Sequence, residues 1–435
     1  METAAEGSNS GSRSMAKLVA HPFPALGGMD NAKGTAVAGL YDDLLVEILS
    51  CVPVKDVRRS KCVSKPWCDL ITDPLHRKKL PQTLEGFFHG GPGGPYSYGH
   101  FTSLSGSGKS APPVDPSFSF LTAKLPGVER MALLDSCNGL LLFGCIQDNK
   151  FGYIVCNPAT EELVTVPASS SSCPFPPQLE ENYDGNDGER YAHTYLMFDP
   201  VVSSRFHLLQ FWMNTSGKVE VQMVHSYSSQ TRAWSDRSSK LERGEEGGGW
   251  GLWGEFIIGF MCGKALVNGL LHFVVYHVEK HENLIVAVDG EAKICRIIRW
   301  HDKHGDNIPA FIDQSQGRLH CISTDLQFED LQFQFTELSV WVLQDYDTQE
   351  WILKHNVSCS QLFGSLSCPF NDFDIVAIHP DHNSIFLAQH WNQKLVSYYM
   401  DGKELHALWS LGEDYLYITP YIPCFMELPV LATKD

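Results

Sequence analysis

The sequence predicts a small all-α module followed by a large all-β domain. Three observations carry that reading. Apolar residues recur at helical spacing between Leu40 and Leu80. Gly90-Gly-Pro-Gly-Gly-Pro95 then breaks the pattern, and loop-like sequence runs on to about Pro116. From Phe118 onward, short strand-like runs alternate with turn residues and helical periods are scarce. The expected boundaries are a disordered tail over residues 1–38, a helical module over 39–80, a linker over 81–117 and the β domain over 118–435.

Within the module, Leu44, Leu45, Ile48, Leu49 and Val52 fall at helical spacing and are expected to share one apolar face. Asp42 and Asp43 place negative charge where a helix start favours it. Pro53 ends the helix, because proline lacks a backbone donor and turns the preceding residue away from helix. A second short helix is expected over Val54–Arg59. A third starts after Ser64 as cap, with Pro66 in its first turn and Trp67, Leu70 and Ile71 on its inner face. Asp73-Pro74 stops it. Helices this short depend on packing, since nucleation is costly. About forty residues bury too little apolar surface alone, so the module either takes a partner or caps a larger domain.

The run Leu40-Tyr-Asp-Asp-Leu-Leu-Val-Glu-Ile-Leu-Ser50, then Val52-Pro-Val-Lys55, Cys62-Val63, Lys65, Trp67 and Asp73-Pro74, resembles an F-box, the adaptor-docking module of SCF-type ubiquitin ligases. The resemblance implies a chain that does no chemistry itself and brings a target to an enzyme. It makes Leu40, Leu44, Leu45, Ile48, Leu49, Val52, Pro53, Val54 and Trp67 the candidates for contact with a Skp-type adaptor or for the core beneath that contact. The adaptor in turn implies a cullin–RING ligase. Tyr41 stands where the family usually has proline, and Arg58 and Ser60 where it often has Leu and Phe, so the second helix is more polar than is typical.

In the β domain a unit recurs: a Gly, Asn or Ser turn, an apolar strand, a second strand into an Asp or Asn turn, and a third strand. Copies begin at Cys137-Asn-Gly-Leu-Leu-Leu-Phe-Gly144, Val267-Asn-Gly-Leu-Leu-His-Phe-Val274, Gln316-Gly-Arg-Leu-His-Cys-Ile322 and Asn383-Ser-Ile-Phe-Leu387, and Tyr195-Leu-Met-Phe-Asp-Pro200 belongs to another. Gly or Asn supplies the positive-φ turn. Trp234 and Trp351 follow the second turn and are expected to fill the space between sheets. Repeats of roughly fifty to sixty residues are blade-sized. The domain reads as a kelch-like β-propeller, with a β-sandwich as the alternative. Its first copy, with Cys137-Asn-Gly-Leu-Leu141 and Asn157-Pro-Ala-Thr160, resembles the plant F-box-associated domain. Ser169–Arg190 and Asp236–Gly249 read as mobile surface inserts that could contact a target.

Composition narrows the function classes. A net charge of −18 argues against nucleic-acid and anionic-membrane partners. No apolar run reaches the roughly twenty residues that span a bilayer. Thirteen scattered cysteines, among them Cys145, Cys156 and Cys321, read as reduced, buried thiols of a cytoplasmic or nuclear protein. Arg77-Lys78-Lys79, near Arg58, Arg59 and Lys61, is a solvated helix face or a contact for an acidic partner.

Signs of enzyme chemistry are weak, and no catalytic residue, cofactor or metal is expected. Gly106-Ser-Gly-Lys-Ser110 lacks the upstream glycine of a phosphate loop, and Pro112-Pro113 forbids the following helix. His272, His277 and His281 have no Cys or carboxylate to complete a metal site. The expected function is target recognition for a ubiquitin ligase, the target itself being unidentified. The alternative is a stand-alone carbohydrate- or ligand-binding propeller with a vestigial helical cap, suggested by Trp250, Trp253 and Trp391.

Overall fold

The computed structural model describes residues 42–431 apart from 51, 53–56, 58–59, 73–75, 77–83, 92–93, 105–113, 177–178, 180–189, 215–219, 237–252, 302–306, 330–331, 366–367, 370–371, 413–416, 425 and 427. Among the described residues the strands form six sheets, arranged as a six-bladed propeller. Five blades follow in chain order. They run from β3 (Val128–Cys137) to β6 (Glu162–Pro167), β7 (Arg190–Phe198) to β10 (Ala233–Asp236), β11 (Phe256–Ile258) to β15 (Ile294–Arg299), β16 (Asn307–Ser315) to β19 (Glu350–Ser358), and β21 (Phe373–Ile378) to β24 (Glu404–Ser410). The recurring sequence unit is the outer three strands of a blade; the innermost strand, which carries little repeat signature, completes it.

The sixth blade corrects the expected linker. Residues of 81–117 supply β1 (Gly86–Gly91) and β2 (Gly94–Ser103), and β1 pairs on its other edge with β25 (Ile418–Tyr421). The Gly- and Pro-rich run Gly90–Pro95 that suggested a linker instead contributes its ends to the two paired strands. The flanking Phe87 and Phe88 are fully buried, Phe87 against the fifth blade and Phe88 against the first. The propeller therefore closes by joining two segments far apart in sequence, a blade no repeat search would find.

Local chemistry explains the blades. Asn138-Gly139, Asn268-Gly269 and Gln316-Gly317 all take positive φ, as the tight turn between first and second strands demands. At Gly139 a side chain would also collide with Cys424 of the C-terminal segment. Asn383 does not adopt that conformation; there the turn is held by His379, whose Nδ1 accepts from the backbone N–H groups of Asp381 and His382. The second strands are apolar on both faces, since each blade is covered on both sides. In β4 (Leu140–Gln147), for example, all residues but the last are buried. Core clusters lie between successive blades: Leu142, Tyr153, Phe198 and Phe206 between the first and second, and Phe211, Trp253 and Phe273 between the second and third.

The expected inter-blade tryptophans are where the sequence put them. Trp234 donates its indole N–H to Pro167 O at 2.8 Å, and Trp351 donates to Arg299 O at 3.3 Å. In both cases the fourth strand of one blade reaches back to the fourth strand of the preceding blade. The insert expected to be mobile over Ser169–Arg190 is anchored in its first part. Ser169 Oγ donates to Gln210 Oε1 at 2.6 Å, Cys173 lies 3.4 Å from Gln210 Nε2, and Leu179 is buried against Ala132 and Ile146. A buried hydrogen-bonded network and an apolar plug outweigh the polar composition that suggested mobility.

Candidate docking sites

The helical module supplies the first candidate. Helix α1 (Asp42–Ser50) carries Asp42 and Asp43 in its first turn, and α2 (Lys65–Thr72) is capped by Ser64, whose Oγ accepts from the Trp67 N–H at 3.3 Å. The apolar residues of α1 do not form one face. Leu45, Val46 and Leu49 are buried, whereas Leu44 and Ile48 are 52% and 50% exposed. Positions 44 and 48 are one helical turn apart, so the exposed pair makes a continuous apolar strip on the side the core does not use. The hydrophobic spacing was right, but it merged two neighbouring stripes.

Of the other candidates, Val52 and Trp67 are half-buried. Leu70 and Ile71 are buried, as expected for the inner face of α2. Leu40, Pro53 and Val54 lie outside the described residues, as do most of the second helix and Gly106–Ser110. Val63, which was not singled out as a contact residue, is strongly exposed beside these helices. Its neighbour Cys62 is exposed as well, and an apolar residue on a polar turn was the signal that could have found it.

The second candidate is the propeller. Its innermost strands are fastened by polar groups that sequence reasoning did not find. Asp135 on β3 accepts from the Leu196 N–H of β7 at 2.6 Å and forms an ion pair with Lys264, whose ammonium also donates to Leu196 O at 3.1 Å. Asp313 on β16 repeats the first contact one half-turn on, accepting from the Ile378 N–H of β21 at 3.0 Å. Between them, the Ile312 N–H donates to Cys262 O at 2.8 Å. Part of Asp313 remains accessible, yet burial of its carboxyl group pushes the pKa up to about 7, against the pull of the Ile378 and Gln314 N–H groups and of Lys264. These carboxylates staple one blade to the next.

His272, His277 and His281 and the buried thiols serve the fold. His272 and His277 lie on β13 (Leu270–His277), buried, and His277 faces Glu255 at 3.2 Å. His281 sits in the turn and pairs with the Tyr276 hydroxyl at 2.9 Å, so the three imidazoles do not converge. Burial raises the Cys137 and Cys145 thiols to about 11 and keeps them protonated and unreactive. Trp253 is fully buried with its indole N–H on Ala292 O at 3.1 Å. It cannot stack on a ligand, which removes one of the three tryptophans behind the carbohydrate reading; Trp391 is exposed and Trp250 lies outside the described residues.

Residues 100–407 match the F-box associated beta propeller domain family, and residues 38–79 match the F-box domain family. The chain belongs to the F-box associated β-propeller family. Among this family protein's curated relatives is the F-box protein At5g07610 of Arabidopsis thaliana, 34% identical over 31% of this chain and 33% of that one. The match thus spans about a third of that relative. The F-box protein At5g49610 of the same plant is 24% identical over 81% of this chain and 88% of its own. Among solved structures, TolB from Acinetobacter baumannii superimposes with a TM-score of 0.40 at 10% identity, covering 85% of this chain and 74% of that one. An F-box followed by this propeller is the arrangement of SCF substrate receptors in general.

Proposed function

We infer that the protein docks a Skp-type adaptor through its F-box and holds a target protein on its propeller for ubiquitination and degradation. The exposed Leu44–Ile48 strip carries this reading. A folded module gains nothing from leaving two large aliphatic side chains half in water on one helix face, whereas a partner that covers them recovers roughly 25 cal/mol per Å² of apolar surface. The family match over residues 38–79 supports a Skp-type adaptor as that partner. The propeller contributes no chemistry. Its staples, neutral buried histidines and protonated thiols serve the fold, and catalysis in the assembly is proximity supplied to other subunits. Such a receptor would work in the cytoplasm, the nucleus or both.

Capture of the full-length protein by a purified Skp-type adaptor tests the reading. Leu44→Asp with Ile48→Asp should abolish capture while leaving thermal unfolding within a few degrees of wild type, because both side chains are exposed. Retained capture by that variant would sink the proposal. The carbohydrate-binding alternative is not favoured, since Trp253 is committed to the core.

A further inference from the structure

Charges of one sign gather in the cleft between the fourth and fifth blades, on the side of the tight turns. β17 (Arg318–Glu329) and β18 (Gln332–Asp345) are the second and third strands of the fourth blade. Ile322 of β17 shares a core cluster with Ile385 and Tyr398 of the fifth blade. Arg318 and His320 follow at two-residue spacing on the same strand, so they share the face turned to that blade. Across the cleft, Gln316 Nε2 donates to Asn383 Oδ1 at 2.9 Å. On β19, His355 stands opposite Val340 and Leu353 opposite Trp341, which makes Lys354 the extra residue of a bulge. The bulge turns Lys354 back over the blade, and its ammonium donates to His320 Nε2 at 3.3 Å. The other ring nitrogen, Nδ1, donates to the Arg318 carbonyl at 3.2 Å.

Three cations surround this point in a chain of net charge −18. The field of the Arg318 guanidinium reaches both Lys354 and His320. Lys403, in the turn before β24, acts on His355, whose Nε2 pairs with the Tyr398 hydroxyl at 3.1 Å. Burial lowers the Lys354 pKa; Asp401 opposes that shift and Arg318 adds to it. Burial also brings His320 down to about 4, so its ring is neutral at pH 7 and adds no charge. Both oxygens of Asp401 accept from Asn383 Nδ2, at 3.0 and 3.1 Å. A part-buried ammonium that rests on a neutral imidazole, beside a guanidinium, is poorly compensated by the chain itself. An anion in the cleft would relieve it.

We propose that the cleft of Arg318, Lys354 and Lys403 binds a dianionic phosphoryl group, carried by a small phosphate ester or by a phosphorylated side chain. Arg318 brings a planar fork that matches phosphate oxygens, and Gln344 Oε1 steadies it by accepting one of its N–H groups at 2.9 Å. Lys354 and Lys403 bring point charges. Three cations against the single carboxylate of Asp401 leave two positive charges over. A phosphate monoester, with about −1.5 to −2 at pH 7, balances them, and a carboxylate does not. The bulge and His320 give Lys354 its place: the ring holds the ammonium without competing for the anion. This site does not depend on the receptor reading above.

The test is binding of phenyl phosphate to the full-length protein, read by phosphorus NMR line width and by thermal unfolding at an ionic strength fixed with sodium chloride. Phenyl phosphate should broaden saturably and raise the melting temperature, and phenol should not raise it. Lys354→Met, Arg318→Gln and Lys403→Gln should each weaken binding roughly tenfold. Arg318 and Lys403 are exposed, so those two variants should fold as the wild type does. Lys394→Gln, an exposed lysine at the other end of β23 (Lys394–Tyr399), should leave binding unchanged. The proposal is overturned if phenyl phosphate stabilises the protein no more than phenol or sodium chloride does, or if binding survives in Arg318→Gln and Lys403→Gln. Phosphoserine peptides of random sequence separate the two sources. Peptides that bind at least tenfold tighter than phenyl phosphate, with the same dependence on Arg318, assign the site to a phosphorylated protein. Peptides that bind no tighter assign it to a small ester. Adaptor capture is read separately: its loss with phosphate binding intact removes the receptor reading and not this site.

Discussion

Asp313 shows how one carboxyl group can serve architecture and leave a measurable trace. Its pKa is raised from 3.8 to about 7 by burial, so the folded protein holds the proton more tightly than the unfolded chain. The stabilisation from that proton is complete below the unfolded value and disappears as pH rises through about 7. Urea unfolding of wild type and Asp313→Asn from pH 4 to 8 should therefore show the wild type losing stability relative to the variant across that window. Parallel curves would mean that the carboxyl is ionised throughout. Trp234 allows a different check at this scale. Trp234→Phe keeps an aromatic side chain but removes the fused five-membered ring together with its N–H bond to Pro167 O, so a loss of about 1 kcal/mol or somewhat more is expected in urea unfolding. Neither carboxylate staple was legible in the sequence. Asp135 and Asp313 sit in unremarkable runs, and only the turn of the ring brings each to the backbone of the next blade. Trp234 and Trp351 were legible, because a tryptophan following a hairpin turn has few places to put its bulk.

At the scale of elements, legibility followed the range of the interactions. Tight turns and apolar second strands are dictated by neighbouring residues, and they marked four copies of the unit and part of a fifth without fixing the number of blades. The sixth stayed hidden because its pairing partners are separated by most of the chain, and because glycine and proline carry the same signature in a linker and in a hairpin turn. Helix α1 marks a second boundary. Helical spacing located its apolar residues but could not say which of two adjacent stripes faces inward, since that depends on what packs there. Substitutions separate the stripes. Leu49→Ala should cost roughly 2–4 kcal/mol of the stability of the module, as buried leucines do. Ile48→Ala should cost little in thermal unfolding and weaken adaptor capture. Equal losses of stability at both positions would contradict the division of α1.

Across the whole molecule, buried histidines set the response to acid. Burial lowers His89, His272, His320 and His379 to about 4, and His193 to about 3. Each is neutral when folded and takes a proton on unfolding, so its contribution to stability is present above 6.5 and is lost as pH falls towards 4. Several such groups outweigh the single opposing slope of Asp313, and the melting temperature should drop steeply between pH 6.5 and pH 4. A flat profile would mean that the imidazoles reach water in the folded state.

Ring closure through β25 has a consequence for synthesis. The strand that completes the circle, Ile418–Tyr421, leaves the ribosome after the strands of all five other blades. Until it emerges, β1 and the inner flank of the fifth blade lack their mate, and Phe87 has no finished groove to enter. Five completed blades would then wait, open, on a handful of residues. A stop codon after Ser410 would remove β25 and leave an unclosed ring, so such a nonsense mutation should behave as a null although all five preceding blades are intact.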